Sequence, residues 1–261
     1  MATQKTKEYT QEHPYRDIVG RDFSERYWKI TRKDSRGGHL YQYSYSDGTT
    51  TAWLPSVTSL LKHAEPDSFG IGVNWAAKLI RESGDYDAAK VASKEAIDGG
   101  NNLHASIEHY IETGSLDEES DMFMAWYEHV GKHHHWVASE VLVAREFGDV
   151  PCGGTVDAIS WDTETNRYVI WDWKTKNSES YRGPSAKDAL QLGKYSELVY
   201  SMASRYAHDD DATLNTYMPE GRIAYVMRDA SDVKVVSVDT KKAATLYNQA
   251  AQLQAAMKEG K

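Results

Sequence analysis

The hydrophobic rhythm of the chain changes twice. Between residues 26 and 54, "RYWKITRKDSRGGHLYQYSYSDGTTTAWL" alternates aromatic and polar positions, the period of a strand with one buried face. Turn-forming "SRGG" and "SDGT" interrupt it, so a small antiparallel meander is predicted. Residues 1–25 are polar and read as an extended arm, and Pro55 and Ser56 suit a helix start in "PSVTSLLKH".

From 71 to 136 the apolar positions recur at helical spacing. "IGVNWAAKLIRES" (71–83) and "DAAKVASKEAI" (87–97) are predicted helices, with "DGGNN" a break after the second. "LHASIEHYIETG" (103–114) sets Leu103, Ile107, Tyr110 and Ile111 on one face. "DEESDMFMAWYEHVGKHHHW" (117–136) has acids in its first turn and bases in its last, as a helix dipole prefers.

Strand rhythm then returns in "VASEVLVAREF" (137–147), "GTVDAISWD" (154–162) and "RYVIWDWKTK" (167–176), with "DTETN" a hairpin loop between the last two. An amphipathic helix over 184–207, strands over 222–229 and 233–239, and an alanine- and glutamine-rich helix over 240–259 complete the pattern. The order predicts an α/β core over 137–261, integrated with the meander and helices of 26–136 into a single domain. No repeat or low-complexity segment interrupts it.

Composition narrows the class. The 261 residues hold 17 Tyr and 8 Trp against 4 Phe, a mix suited to half-wet surfaces as well as core. A net charge of −9 argues against a passive, globally basic nucleic-acid coat, but not against an enzyme whose acids hold metal ions. The single cysteine, Cys152, excludes an internal disulfide and a four-cysteine cluster within one chain. The N-terminus lacks an apolar signal region and no run is long enough to span a bilayer, so a soluble, cytoplasmic protein without a membrane partner is expected.

The chemistry concentrates in three consecutive strands, which carry Glu140, Asp157 and Asp172. Lys174 shares a face with Asp172, because residues two apart on a strand point the same way, while Trp171 and Trp173 point the other. Two or three carboxylates suit a hard cation such as magnesium over a phosphate, and a lysine beside them would handle a water or developing charge. Alone, the Asp-x-Lys pair reads first as an exposed cross-face ion pair.

Neighbouring residues decide between the two. In order along the chain stand His104 in "NNLHASIEHY", Glu140 in "ASEVLVA", Asp157 in "GGTVDAI", Asp172 and Lys174 in "IWDWKTK", and Gln191 and Tyr195 in "LQLGKY". This sequence resembles the PD-(D/E)XK nuclease superfamily, in its RecB-like exonuclease branch; "LPSVTSLL" adds a likeness to mitochondrial genome maintenance exonuclease and related phage enzymes. The resemblance covers roughly residues 54–200.

It implies a restriction-endonuclease-like α/β fold, a mixed sheet flanked by helices, with the N-terminal helices as a wall or arch over the site. It also implies a Mg2+- or Mn2+-dependent deoxyribonuclease using one or two ions and no iron–sulfur cluster. The implied catalytic residues are Glu140, Asp157, Asp172 and Lys174. The implied ligands are His104, Asp157, Asp172, Glu140 and the Trp173 backbone carbonyl. Glu108, one turn from His104, would orient it by a hydrogen bond. Gln191 and Tyr195 would contact substrate, with Lys176, Arg182, Lys187 and Lys194 as phosphate contacts. The expected activity is exonucleolytic, on single-stranded DNA or free ends, in phage or bacterial replication, recombination or repair, with other replication or recombination proteins as expected partners. The alternatives are a structure-selective or restriction-like endonuclease and an inactive DNA-binding accessory protein.

Other features read as structural. The "HHH" at 133–135 is a solvated helix end, Cys152 lacks a His–acid partner for nucleophilic use, and Gly153–Gly154 lets a strand begin or bulge near the site.

Overall fold

The computed structural model describes residues 7–12, 29–35, 38–45, 47–61, 68–146, 148–179, 181–206 and 218–259. Four strands form an N-terminal antiparallel sheet: β1 (Glu8–Glu12), β2 (Lys29–Ser35), β3 (Gly38–Ser44) and β4 (Leu54–Pro55), in that order. β2 and β3 form the hairpin expected from the alternating pattern. β1 lies in what reads as an unpaired arm, yet it pairs with β2 from Glu8↔Lys33 to Glu12↔Lys29, so opposite charges face each other across the pair. Residues 1–6 and 13–25 of the expected arm, 26–28 of the expected meander, and parts of its two turns lie outside the described residues.

Ser56 caps the short helix α1 (Val57–Leu60), its hydroxyl accepting the Ser59 amide at 3.0 Å. Helix α2 (Ser68–Ser83) follows. Helix α3 then runs unbroken from Ala88 to Thr113, through Gly99 and Gly100, where the sequence predicts a break. Two glycines weaken a helix by about 1 kcal/mol each, but Leu103 and Ile107 are fully buried in the core, and tertiary packing overrides local preference. The next helix is shorter than predicted: α4 (Asp121–His129) ends at Val130, one 3-10 turn (Gly131–His133) follows, and a strand begins at His135. Trp136 explains the early stop. Its indole donates to the Gly131 carbonyl at 2.8 Å and packs on Trp126, Trp171 and Trp173.

The second sheet has five strands in sequential order: β5 (His135–Arg145), β6 (Cys152–Asp162), β7 (Arg167–Lys176), β8 (Glu220–Met227) and β9 (Val233–Val238). All neighbours are antiparallel except β7 and β8, which run parallel across the helix α5 (Ala186–Tyr206). The sheet is therefore mixed, as expected. The closing helix α6 (Thr240–Glu259) packs beside α5.

Each face of the sheet has its own core. Ile159, Ile170, Ile223 and Tyr225 meet Leu192, Leu198, Val199 and Tyr247 of α5 and α6 on one side. Trp171, Trp173, Val169 and Val226 meet Leu103, Ile107, Phe123 and Trp126 of α3 and α4 on the other. No described helix is long and apolar enough to cross a membrane.

Candidate active site

Strand β7 divides its side chains as the alternation requires. Trp171 and Trp173 sit in the aromatic layer under α3 and α4, their rings 5.4 Å apart. Asp172 and Lys174 face the side of α5. Asp172 is only 1% exposed. Its Oδ1 accepts from Gln191 Nε2 at 3.2 Å, and its Oδ2 lies 2.6 Å from Lys174 Nζ without completing a well-formed hydrogen bond. Gln191 also donates to the Tyr195 hydroxyl oxygen at 3.2 Å, so the i, i+4 pair on α5 acts on the cleft as one unit.

The Trp173 peptide is held from both sides. Its N–H donates to Asp157 Oδ2 on β6 at 2.7 Å, and its carbonyl accepts from His104 Nε2 on α3 at 3.1 Å. Since a carbonyl only accepts, the proton sits on Nε2; Nδ1 lies 3.7 Å from Asp157 Oδ2. Glu140 on β5 falls between the pairs Ser139↔Ala158 and Val141↔Val156 of the β5–β6 register, with its backbone in the left-handed region at φ 47°. His104, Glu140 and Asp157 each offer a ligand atom within 4.8 Å of the others, the one such group among the described residues. Asp172 is outside that group, its oxygens already facing Gln191 and Lys174.

Crowding marks the electrostatics. Burial, followed by the charge of Asp157, pushes the Glu140 carboxyl up to about 7. Burial also pushes Asp172 up to about 7; Lys174 opposes the shift and Asp157 adds to it. Burial alone would lower Lys174, but the Asp172 and Asp157 carboxylates outweigh it and hold the ammonium above its ordinary range. Imidazole, carboxylate and carbonyl donors around a surplus of buried negative charge fit a divalent cation.

These groups line a cleft of about 640 Å³. One wall is α3, from Ala96 to Glu108; the other is the β2–β3 hairpin, which contributes Arg32, His39 and Tyr41. Gly154 secures the floor. A Cβ there would lie 2.3 Å from Tyr195 Cε1, so only glycine lets that ring reach Gln191. Gly153–Gly154 lies at the start of β6, as the sequence suggests, and admits Tyr41 and Tyr195 there.

Several predicted contacts lie elsewhere. Lys194 is completely buried, bound to Glu197 at 3.0 Å and to Asn248 Oδ1 at 2.8 Å under α6, so it cannot reach a phosphate. Lys176 lies 3.8 Å from Asp188 and over the Tyr225 ring. Arg182 donates to the carbonyls of Glu179 and Tyr181, and Lys187 is partly exposed in the first turn of α5; none of the three lines the cleft. Glu108 does line it but makes no hydrogen bond to His104, whose ring is placed instead by Trp173 and Asp157. Trp126, Trp171 and Trp173 belong to the core, on the face turned away from Asp172 and Lys174.

The histidine run is a 3-10 turn and strand start rather than a helix end; His134 packs 4.7 Å from the Trp171 ring, while His133 donates to the Glu128 carbonyl. Cys152 is buried, and burial raises its thiol to about 11. Arg32, His39, Tyr41 and Thr155 are cleft residues that the motif pattern misses. The hairpin alternation places 32, 34, 39 and 41 on one face, but only the tertiary structure turns that face to the cleft.

The profile of the PD-(D/E)XK nuclease superfamily matches residues 40–260. The chain belongs to the PD-(D/E)XK nuclease superfamily, and its helix-flanked mixed sheet is the restriction-endonuclease-like fold of these metal-dependent nucleases. No curated protein matches the sequence. Among solved structures, one titled "Crystal structure of SSO0001" is 18% identical, with a TM-score of 0.35 over 69% of this chain and 70% of that one.

Proposed function

We propose that this protein is a Mg2+- or Mn2+-dependent DNA exonuclease acting on single-stranded ends, in phage or bacterial replication, recombination or repair. The observation that carries the reading is the convergence of His104, Glu140, Asp157 and the Asp172–Lys174 pair on one walled cleft. Walls on both sides favour a flexible strand over a stiff duplex, and the motif order from His104 to Tyr195 is the one the RecB-like branch leads us to expect.

His104, Glu140 and Asp157 would hold the cation, with Asp172 and the Trp173 carbonyl beside them. When bound, a divalent ion supplies charge to the phosphoryl oxygens and acidifies water. The remaining work falls to the chain. Lys174, whose ammonium faces the Asp172 carboxylate at 2.6 Å, orients the attacking water and offsets charge on the phosphate. Gln191 fixes Asp172 while Tyr195 fixes Gln191. The Trp173 peptide ties the histidine helix to the strand carrying Asp172 and Lys174, so the ligands stay in register.

The test is cleavage of 5′- and 3′-labelled linear single strands, duplexes and closed single-stranded circles, with and without magnesium or manganese. Linear single strands are expected to be degraded and circles spared, with Asp172→Ala inactive. Cleaved circles would replace the exonuclease reading with an endonuclease, and full activity of Asp172→Ala would remove the assigned centre.

A further inference from the structure

The cleft is rich in carboxylates and poor in cations. Glu108, Glu140, Asp157 and Asp172 line it, against Arg32 and Lys174 and the imidazoles of His39 and His104. A phosphodiester chain entering it meets repulsion unless positive groups receive it. Lys174 is engaged by Asp172, and His104 by Trp173 and Asp157. The lysines predicted on α5 lie buried or away from the cleft. Among the described residues, only the N-terminal hairpin adds further basic groups to the cleft lining.

Those groups are built into place. Asp34 and His39 are directly opposed across β2 and β3, and Asp34 Oδ1 accepts from His39 Nδ1 at 2.7 Å. A carboxylate only accepts, so Nδ1 donates to Asp34; Nε2 then donates to a phosphate oxygen on the imidazolium, the form that the Asp34 carboxylate partners. Arg32, two residues before Asp34 on the same face, has its Nε 3.4 Å from the same Oδ1. That Nε is buried and has no hydrogen bond. Another guanidinium nitrogen donates to Thr155 Oγ1 at 3.3 Å, and the Tyr9 ring stacks 4.4 Å from the guanidinium carbon. Thr155 lies two residues from Asp157 on the same strand, so Arg32 is referenced directly to the reaction centre.

We infer that Arg32 and His39, both oriented by Asp34, form a phosphate-binding subsite through which the N-terminal sheet grips the nucleic-acid backbone next to the bond being cleaved. The inference rests on the nuclease reading above. Arg32 presents a planar, permanently charged fork suited to a phosphate. His39 contributes a hydrogen bond at the rim, and Tyr41, bonded to Thr155 at 3.1 Å, closes the space behind them. These are positioning residues. They act on where the strand lies, and their loss should appear in substrate binding before chemistry.

The experiment is steady-state cleavage of a labelled oligo-dT by the full chain in magnesium at several salt concentrations, for wild type, Arg32→Ala, Arg32→Lys and His39→Ala. Arg32→Ala should raise KM about tenfold with kcat held within about twofold, and flatten the log–log salt dependence of kcat/KM by about 0.7. Arg32→Lys should recover the salt slope but only part of KM, because it keeps the charge without the fork. His39→Ala should raise KM less, and flatten the slope less, than Arg32→Ala. Wild-type KM and slope in Arg32→Ala overturn the subsite, as does a fall in kcat and thermal stability with KM and slope unchanged. Should Arg32→Ala not fold, the lysine and His39 variants decide by the same measures. Failure of wild type to cleave any nucleic acid would remove the nuclease reading itself, a result distinct from active enzyme indifferent to Arg32.

Discussion

Helix α5 borders two regions that handle buried charge in opposite ways. On its cleft side, Gln191 and Tyr195 face Asp172 in a site with more carboxylates than cations. Under α6, Lys194 and Arg145 both reach Glu197, and Asn248 completes the group. Burial raises Glu197, but Lys194 and Arg145 outweigh it and hold the carboxyl below its usual range. Glu140 and Asp172 are instead forced up to about 7. The network around Glu197 pairs its charges within the chain and leaves only the Arg145 Nε buried without a hydrogen bond. The cleft reaches completion only with a cation and a substrate. Buried charge alone therefore does not mark a functional site; buried charge left over does.

The largest separation of the two regions should come from their lysines. Lys174→Ala should lower kcat by about 10²–10⁴-fold while the melting temperature changes little, since Asp172 can take up a proton; a variant retaining activity would dissolve the distinction. Lys194→Ala should do the reverse. It leaves Glu197 short of a partner and should cost on the order of 3 kcal/mol of stability, read by urea unfolding, with kcat retained where the variant is folded.

A smaller effect tests the surplus charge. Asp157→Asn removes one negative charge but keeps an acceptor for the Trp173 amide. It should raise the metal-free melting temperature by about 2–4 °C, abolish cleavage, and lose the stabilisation that excess magnesium gives wild type. A lowered melting temperature without metal would show that the cleft carboxylates are not in conflict.

The smallest effect is a pH signature. For Asp172 and Glu140 the folded form holds protons more tightly than the unfolded chain, so their contribution is full near pH 4 and is lost as pH rises through about 7. His134 works against this. Burial, with Arg222 adding, lowers its imidazole to about 4, so its contribution is full above the ordinary value of 6.5 and is lost as pH falls towards 4. Metal-free wild type should lose stability between pH 4 and 7, Asp157→Asn should lose less, and His134→Phe should steepen the loss. A flat profile in all three would remove both assignments.

Much of the central sheet is legible in one dimension. Period-2 alternation around Asp172 and Lys174 separates the site face from the tryptophan face, and strands with short connections pair in order, bringing Glu140, Asp157 and Asp172 together. Lys194 is misread because α5 is covered on two sides, by the sheet and by α6, and a lysine in an amphipathic helix ordinarily faces water. Gly99–Gly100 is misread because burial of Leu103 and Ile107 outweighs local helix preference. Arg32 and His39 are invisible for a different reason: no local pattern records that a hairpin more than a hundred residues away leans on β6.

Glu140 carries a consequence for design. Its carboxylate faces Asp157 from a backbone in the left-handed region, a conformation that costs a residue with a Cβ about 1–2 kcal/mol. Copying Glu140, Asp157, Asp172, Lys174 and His104 onto another mixed sheet would reproduce the letters without that local reversal, and an ordinary extended residue would aim the carboxylate elsewhere. A transplant must carry the distorted β5 segment with its side chain. The unit of inheritance at this site is a stretch of deformed strand, not a list of five residues.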